Sequence, residues 1–131
     1  MSGLFPLESL NIPFLAAGIL SFAIWGIHTF AGGAAIARPL LAVELDSVVK
    51  YTQYYCWHIV TIVLLAVALA FTYSAFRTDA NDLGWVMTVL AAAFALWGLL
   101  LPPFVRQAYS QLPQGWLFVP VALLGLWGLL S

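Results

Sequence analysis

Four long apolar stretches limit most strongly what this chain can fold into. They cover residues 13–33, 47–76, 82–101 and 115–130. A helix needs about 20 apolar residues to cross the roughly 30 Å of hydrocarbon in a bilayer. Three stretches reach that length and the fourth nearly does. The pattern therefore predicts an all-α integral membrane protein, an antiparallel bundle of four transmembrane helices that forms a single domain over residues 1–131.

The composition supports a membrane setting and excludes several classes of protein. The chain is 64% hydrophobic and 7% charged, whereas an average soluble domain has about 25% charged residues. A globule of this size could not bury so much apolar surface, so the excess must face lipid. A net charge of −1 offers no basic patch for nucleic acid. Cys56 is the only cysteine, which excludes an internal disulfide and a multi-cysteine metal site.

The connections between the stretches differ in character. Residues 30–46 are apolar for a loop and contain Gly32-Gly33 and Arg38-Pro39, so we expect an interfacial or partly re-entrant segment there. Residues 77–82 predict a tight hairpin. The pair Pro102-Pro103 is expected to end or bend the third helix, because a proline ring nitrogen cannot donate to the helix ladder.

The few basic residues give a weak indication of topology. Arg38, Lys50 and Arg106 fall on one side of the membrane and Arg77 on the other. The positive-inside rule then predicts that both termini are non-cytoplasmic. The short, apolar chain is typical of small bacterial inner-membrane proteins, so we expect it to reside in the bacterial inner membrane.

Small and polar residues at heptad spacing predict which helix faces contact other helices, since Leu, Ile and Phe are equally suited to lipid. The first helix carries Gly18, Ser21, Trp25, His28 and Gly32 on one face. The second carries Tyr51, Tyr54, His58, Thr61, Leu65, Ala68 and Thr72. The third carries Gly84, Thr88, Ala91, Ala95 and Gly98, and the fourth Ala122, Gly125 and Gly128.

His28 and His58 are the only histidines of the chain and the only ionisable residues well inside the apolar stretches. Such groups are costly in a membrane and are candidates for function. The first helix ends, and the second begins, on the same side, so both histidines should lie within about two turns of one interface. We expect them to face each other, with Tyr54 and Arg38 beside them.

Several interpretations of this pair stay open. A neutral imidazole can simply join two helices by a hydrogen bond. Two imidazoles on facing helices could also ligate a haem b iron. Alternatively, a quinone or a lipid head group could bind in a pocket formed by His28, His58, Tyr54, Trp57 and Arg38. No metal site is predicted, because two histidines supply too few ligands. Tyr54 and Arg38 could equally belong to an ordinary aromatic belt with a snorkelling arginine.

The sequence contains no catalytic motif, neither a nucleophile elbow nor a zinc-protease or phosphate-loop signature. We therefore expect no enzyme activity and no catalytic residue. The length is typical of small multidrug transporters, but those exporters centre on a carboxylate in the first helix, and this first helix has none. The leading expectation is an accessory protein that contacts the lipid bilayer and a larger membrane complex or further copies of itself. A cofactor binder is the first alternative and a small oligomeric transporter the second.

Overall fold

Helices make up 83% of residues 10–131, the part of the chain that the computed structural model describes, and no strand occurs there. The four helices are α1 (Ile12–Ala42), α2 (Ser47–Ala75), α3 (Asn81–Phe104) and α4 (Gln114–Leu130). The all-α prediction and the number of helices are confirmed. Helices α1, α2 and α3 are long and apolar enough to span a membrane, whereas α4 is shorter. The first nine residues of the predicted domain lie outside the described range.

Helix α1 is longer than the sequence pattern predicts. It starts as expected, with Asn11 accepting a hydrogen bond from the Phe14 amide (2.9 Å) and a proline in the first turn. It then continues through Gly32-Gly33 as a π-helix over Ile27–Ala37 and ends with a short α-helical segment, Arg38–Ala42. The interfacial or re-entrant segment expected at 30–46 is therefore mostly helix. Pro39 lies where the π-helical part passes into that last segment, and its ring nitrogen donates no backbone hydrogen bond there.

The ends of α2 and α3 have clear local causes. Asp46 caps α2 by accepting hydrogen bonds from the amides of Val48 (3.0 Å) and Val49 (3.3 Å). Helix α3 runs past Leu101 and through both prolines to Phe104. It stops at Arg106, which adopts φ 57°, and the Gln107 amide then donates to the Pro102 carbonyl at 2.8 Å. This is a Schellman-type end, so the stop comes after the proline pair and not at it.

Successive helices run antiparallel, and the closest pairs are α1 with α2 and α3 with α4. At one end of the bundle, here called the lower end, the Asn11 amide donates to the Ala75 carbonyl (2.9 Å) and the Asn11 side chain donates to the Gly128 carbonyl (2.7 Å). The buried core comes from all four helices: Phe14, Ala17, Ile24, Leu64, Val67, Phe71, Ala75, Ala91 and Val121.

The predicted contact faces are correct for three helices and rotated for one. Buried positions include Gly18 and Ser21 on α1, Gly84, Thr88, Ala91 and Ala95 on α3, and Gly125 and Gly128 on α4. On α2 the buried residues are Leu64, Val67, Ala68, Phe71, Ser74 and Ala75, of which Ala68 alone belongs to the predicted face. Tyr51 and His58, assigned to the contact face from the sequence, are exposed. The face of α2 that packs in the bundle is a neighbouring row of apolar residues on the same helix.

The charged residues outside the helical core are sparse. Arg77 and Asp79 form a bidentate pair at the lower end (2.9 and 2.8 Å). The hydrogen bonds from Arg77 lower the pKa of the Asp79 carboxyl. At the upper end, the Lys50 ammonium donates to the Leu41 carbonyl (3.2 Å) and thereby links the two helices that meet there.

Candidate functional site at the His28–Trp57 contact

The imidazole of His28 is held against α2 by a ring contact and a hydrogen bond. It stacks on the indole of Trp57 with centroids 4.0 Å apart and planes 16° from parallel. Its Nε2 lies 3.1 Å from Thr61 Oγ1 and 3.4 Å from the Trp57 carbonyl oxygen. Trp57 and Thr61 are one turn apart, so they present one face of α2 to α1.

Gly32 makes room for this arrangement one turn beyond His28. A Cβ built on Gly32 would lie 2.9 Å from the far edge of the Trp57 indole, closer than real Cβ contacts allow. The missing side chain therefore lets the indole lie flat against α1. By contrast, a Cβ on neighbouring Gly33 would meet nothing within 4 Å. Of the two adjacent glycines, only Gly32 serves this packing.

The contacts of His28 favour one tautomer. The Thr61 hydroxyl donates to the Trp57 carbonyl (3.1 Å), and a carbonyl oxygen can only accept. A proton on Nε2 satisfies both of its contacts, so we assign the hydrogen to Nε2 and a free lone pair to Nδ1. Within residues 10–131, Nδ1 has no hydrogen bond. The His28 ring is half-buried, and its Nδ1 is not fully enclosed.

His58 has a different environment from His28. Its ring is exposed and meets Tyr54 edge-on, with centroids 4.5 Å apart and planes 83° apart. No hydrogen bond of His58 is recorded in the described part of the chain, nor a ring contact between the two histidines. The indole of Trp57 occupies the position opposite His28, where the sequence analysis expected the ring of His58. Arg38 is exposed on the last part of α1.

The two histidines nevertheless lie at one level, in agreement with the sequence expectation. The Asn11–Ala75 hydrogen bond aligns the lower ends of α1 and α2. His28 is 16 residues above Ile12 and His58 is 17 residues below Ala75 in sequence, so each lies about 24 to 26 Å up its helix. Whether His28, His58, Tyr54 and Arg38 share one ligand stays a prediction.

The sequence analysis placed Thr61 on the contact face and Trp57 in the candidate pocket, but it paired neither of them with His28. Trp57 and Thr61 are four residues apart, and Leu64 and Ala68 continue the same helix face. The sequence would have indicated this contact face if Trp57 had been treated as a packing residue. The described residues contain no group of three or more histidine, cysteine or acidic side chains able to hold a metal ion.

A second candidate is a polar cleft of about 330 Å³ at the lower end, near Asn11, Ser74, Arg77 and Asn81. Three of these side chains already have partners. Asn11 bonds Phe14 and Gly128, Ser74 donates to the Ala80 carbonyl, and Arg77 binds Asp79. The cleft is therefore largely explained by hydrogen bonds that close the helix ends.

Comparisons with known proteins give no assignment: the chain matches no protein-family model, no curated protein and no solved structure. Function has to be argued from the geometry alone.

Proposed function

We propose that the protein is an accessory protein of a membrane, in which all four helices are embedded, and that it binds a larger membrane protein through the upper part of its α1–α2 hairpin. The observation that carries this proposal is the height of that hairpin. Helix α2 has 29 residues and is about 43 Å long. The hydrocarbon layer is only about 30 Å thick.

The extra length of α1 and α2 does not project at the lower end. Asn11 and Ala75 are hydrogen-bonded there, beside the end of α4 at Gly128. The surplus of about 13 Å therefore projects from the upper side, and a typical tilt of about 20° shortens a 43 Å helix by only about 3 Å. We call residues 33–54 the hairpin tip.

The hairpin tip is unusually apolar for a segment outside the hydrocarbon. Its exposed side chains include Ile36 (53%), Leu41 (39%), Val43 (49%), Leu45 (46%), Val48 (72%) and Val49 (50%). Within the described residues, the π-helical part of α1 packs mainly against its own helix and α2. Lipid tails do not reach this level, so the apolar surface favours a protein partner.

A charge-insertion experiment tests this proposal. Val49→Asp places a carboxylate on the exposed tip, where it should leave the fold intact and disrupt docking. Val105→Asp is the matched control, because Val105 is also exposed (43%) and lies at the same end of the bundle. We expect native electrophoresis of mild membrane extracts to show the wild type and Val105→Asp in an assembly larger than the free protein, and Val49→Asp outside it. Free migration of the wild type would contradict the proposal.

The bacterial inner membrane and non-cytoplasmic termini belong to the same proposal, supported by the separation of Arg38, Lys50 and Arg106 from Arg77. Absence of enzyme activity remains an expectation. For haem, His28 offers only Nδ1, since its Nε2 is engaged by Thr61 and Trp57, and the exposed ring of His58 contacts Tyr54 and not His28. The transporter alternative has no supporting observation in the structure.

A further inference from the structure

We propose that Nδ1 of His28 is the hydrogen-bond acceptor of a binding site for a phenolic head group, such as that of a membrane-soluble quinol. The proposal relies on the membrane setting of the protein but not on docking by the hairpin tip. It concerns binding alone and involves no electron transfer.

The acceptor role follows from the tautomer. Nε2–H is used by Thr61 Oγ1 and the Trp57 carbonyl, which leaves the Nδ1 lone pair without a donor among the described residues. A neutral imidazole nitrogen is a strong acceptor, and leaving it unmatched in an apolar setting is costly. Because Nδ1 is accessible, a donor from outside the chain can reach it.

The position of His28 selects the kind of donor. About 24 Å above the lower end, the imidazole is still within the roughly 30 Å of hydrocarbon. Its exposed neighbours on α1 are Ile27 (52%) and Phe30 (72%), which face the bilayer. A ligand that reaches Nδ1 must therefore dissolve in lipid, carry an O–H group near its polar end and tolerate apolar contacts. A phenol meets these conditions, and its ring can pack against Phe30.

The tautomer also predicts a preference between redox forms of such a ligand. A quinol has hydroxyl groups that donate to Nδ1, whereas the oxidised quinone offers only carbonyl acceptors. To bind the quinone in the same way, His28 would need a proton on Nδ1. It would have to take up a second proton, or shift its proton from Nε2 to Nδ1 and lose the hydrogen bonds to Thr61 and Trp57. Loss of one such hydrogen bond corresponds to roughly tenfold in affinity.

Equilibrium dialysis of a short-chain ubiquinol analogue against nanodiscs that contain the full chain tests the proposal, with empty nanodiscs subtracted. We expect saturable binding by the wild type and at least about tenfold weaker binding of the oxidised analogue. His28→Phe keeps an aromatic ring against Trp57 but removes both nitrogens, so it should weaken quinol binding about tenfold or more. Gly98→Ala is the control for structural damage, since its Cβ would lie 2.5 Å from the Cα of Gly115 between α3 and α4 and leaves His28 and its partners unchanged; its affinity should stay within about threefold of the wild type.

Each of the following results would either support or overturn the proposal. No saturable binding, equal binding by His28→Phe, or equal affinity for quinol and quinone would overturn the proposal. Parallel losses in Gly98→Ala and His28→Phe would show that only the fold is affected and would also overturn it. A lipid glycerol hydroxyl is the competing donor. Quinol binding that is the same in phosphatidylcholine and phosphatidylglycerol nanodiscs supports the phenol, and binding abolished in phosphatidylglycerol overturns it.

A failed dialysis experiment would leave the docking proposal intact, because Val49→Asp alters the hairpin tip and not His28. Conversely, if the wild-type protein migrates free of any assembly on native gels, the docking proposal fails and the dialysis experiment still tests quinol binding.

Discussion

The His28 imidazole and the Trp57 indole lie face to face, with centroids 4.0 Å apart and planes 16° from parallel. This contact joins α1 to α2 above the region where all four helices pack together. Nearby on α1, a Cβ on Gly32 would touch the same indole. His28, Gly32 and Trp57 therefore form one packing unit, with His58 outside it.

The two histidines should differ in their effect on stability. His28→Ala removes both the stack and the hydrogen bond and should cost about 2 kcal/mol. His28→Phe keeps the stack and should cost about 1 kcal/mol. His58→Ala should change stability by less than about 0.5 kcal/mol, because His58 is exposed. Thermal unfolding in mild detergent measures all three, and a loss for His58→Ala as large as that for His28→Ala would show that the contact is assigned to the wrong histidine.

The close backbone approach of α3 and α4 at Gly98 and Gly115 gives a second prediction. A Cβ on Gly98 would lie 2.5 Å from the Cα of Gly115, and backbone atoms cannot move aside as a side-chain tip can. Gly98→Ala should force α3 and α4 apart at that point and cost about 1 to 3 kcal/mol.

Gly26→Ala is the matched control for Gly98→Ala. A Cβ on Gly26 meets nothing within 4 Å, and Gly26 is helical. Alanine favours helix over glycine by up to about 1 kcal/mol, so this variant should be as stable as the wild type or slightly more so. Similar melting temperatures for the two variants would contradict the α3–α4 contact.

The contact faces of α1 and α3 could be read from the sequence because their small residues recur at heptad spacing amid large apolar ones. Gly18 and Ser21, and Gly84 with Thr88, are buried as predicted. The face of α2 could not be fixed in this way. Lipid-facing and protein-facing surfaces are both apolar, so hydrophobicity does not separate the line through Leu64 from the line through Leu65.

The π-helix over Ile27–Ala37 and the partners of His28 were also beyond the sequence pattern. A π-turn changes the hydrogen-bond register without changing composition, so two adjacent glycines suggested a loop. The shared level of His28 and His58 was predictable, since it follows from helix lengths and the antiparallel order alone. Which side chain lies opposite His28 depends on rotation about the α2 axis, and the spacing did not determine that rotation.

Topology follows from the basic residues at the two ends of the bundle. Alkaline phosphatase, which is active only outside the cytoplasm, should be active when fused after Ser131 or after Asp79. Fusion after Gln107 should be inactive, because that connection lies at the end that carries Arg38 and Lys50. The opposite pattern would place the hairpin tip outside the cytoplasm and would move its partner there as well.

Asn11 has two roles that substitution can separate. Its side-chain oxygen accepts from the Phe14 amide and caps α1, while its Nδ2 donates to the Gly128 carbonyl at the end of α4. Asn11→Asp retains an oxygen for the cap but has no donor, and it places a carboxylate beside the Gly128 carbonyl. Asn11→Ala loses both interactions. We expect Asn11→Ala to cost about 2 kcal/mol, the sum of a lost cap and a lost hydrogen bond of about 1 kcal/mol each.

The order of the two Asn11 variants tests which interaction matters more. If the cap stabilises α1 as described, Asn11→Asp should melt between the wild type and Asn11→Ala, because a negative charge at a helix start is also favourable. Equal melting of Asp and Ala variants would mean that the link to α4 accounts for the whole effect. A wild-type melting temperature in Asn11→Asp would mean that the Gly128 bond contributes nothing, and that α4 is held to α1 by side-chain packing such as that of Phe14 against Gly128.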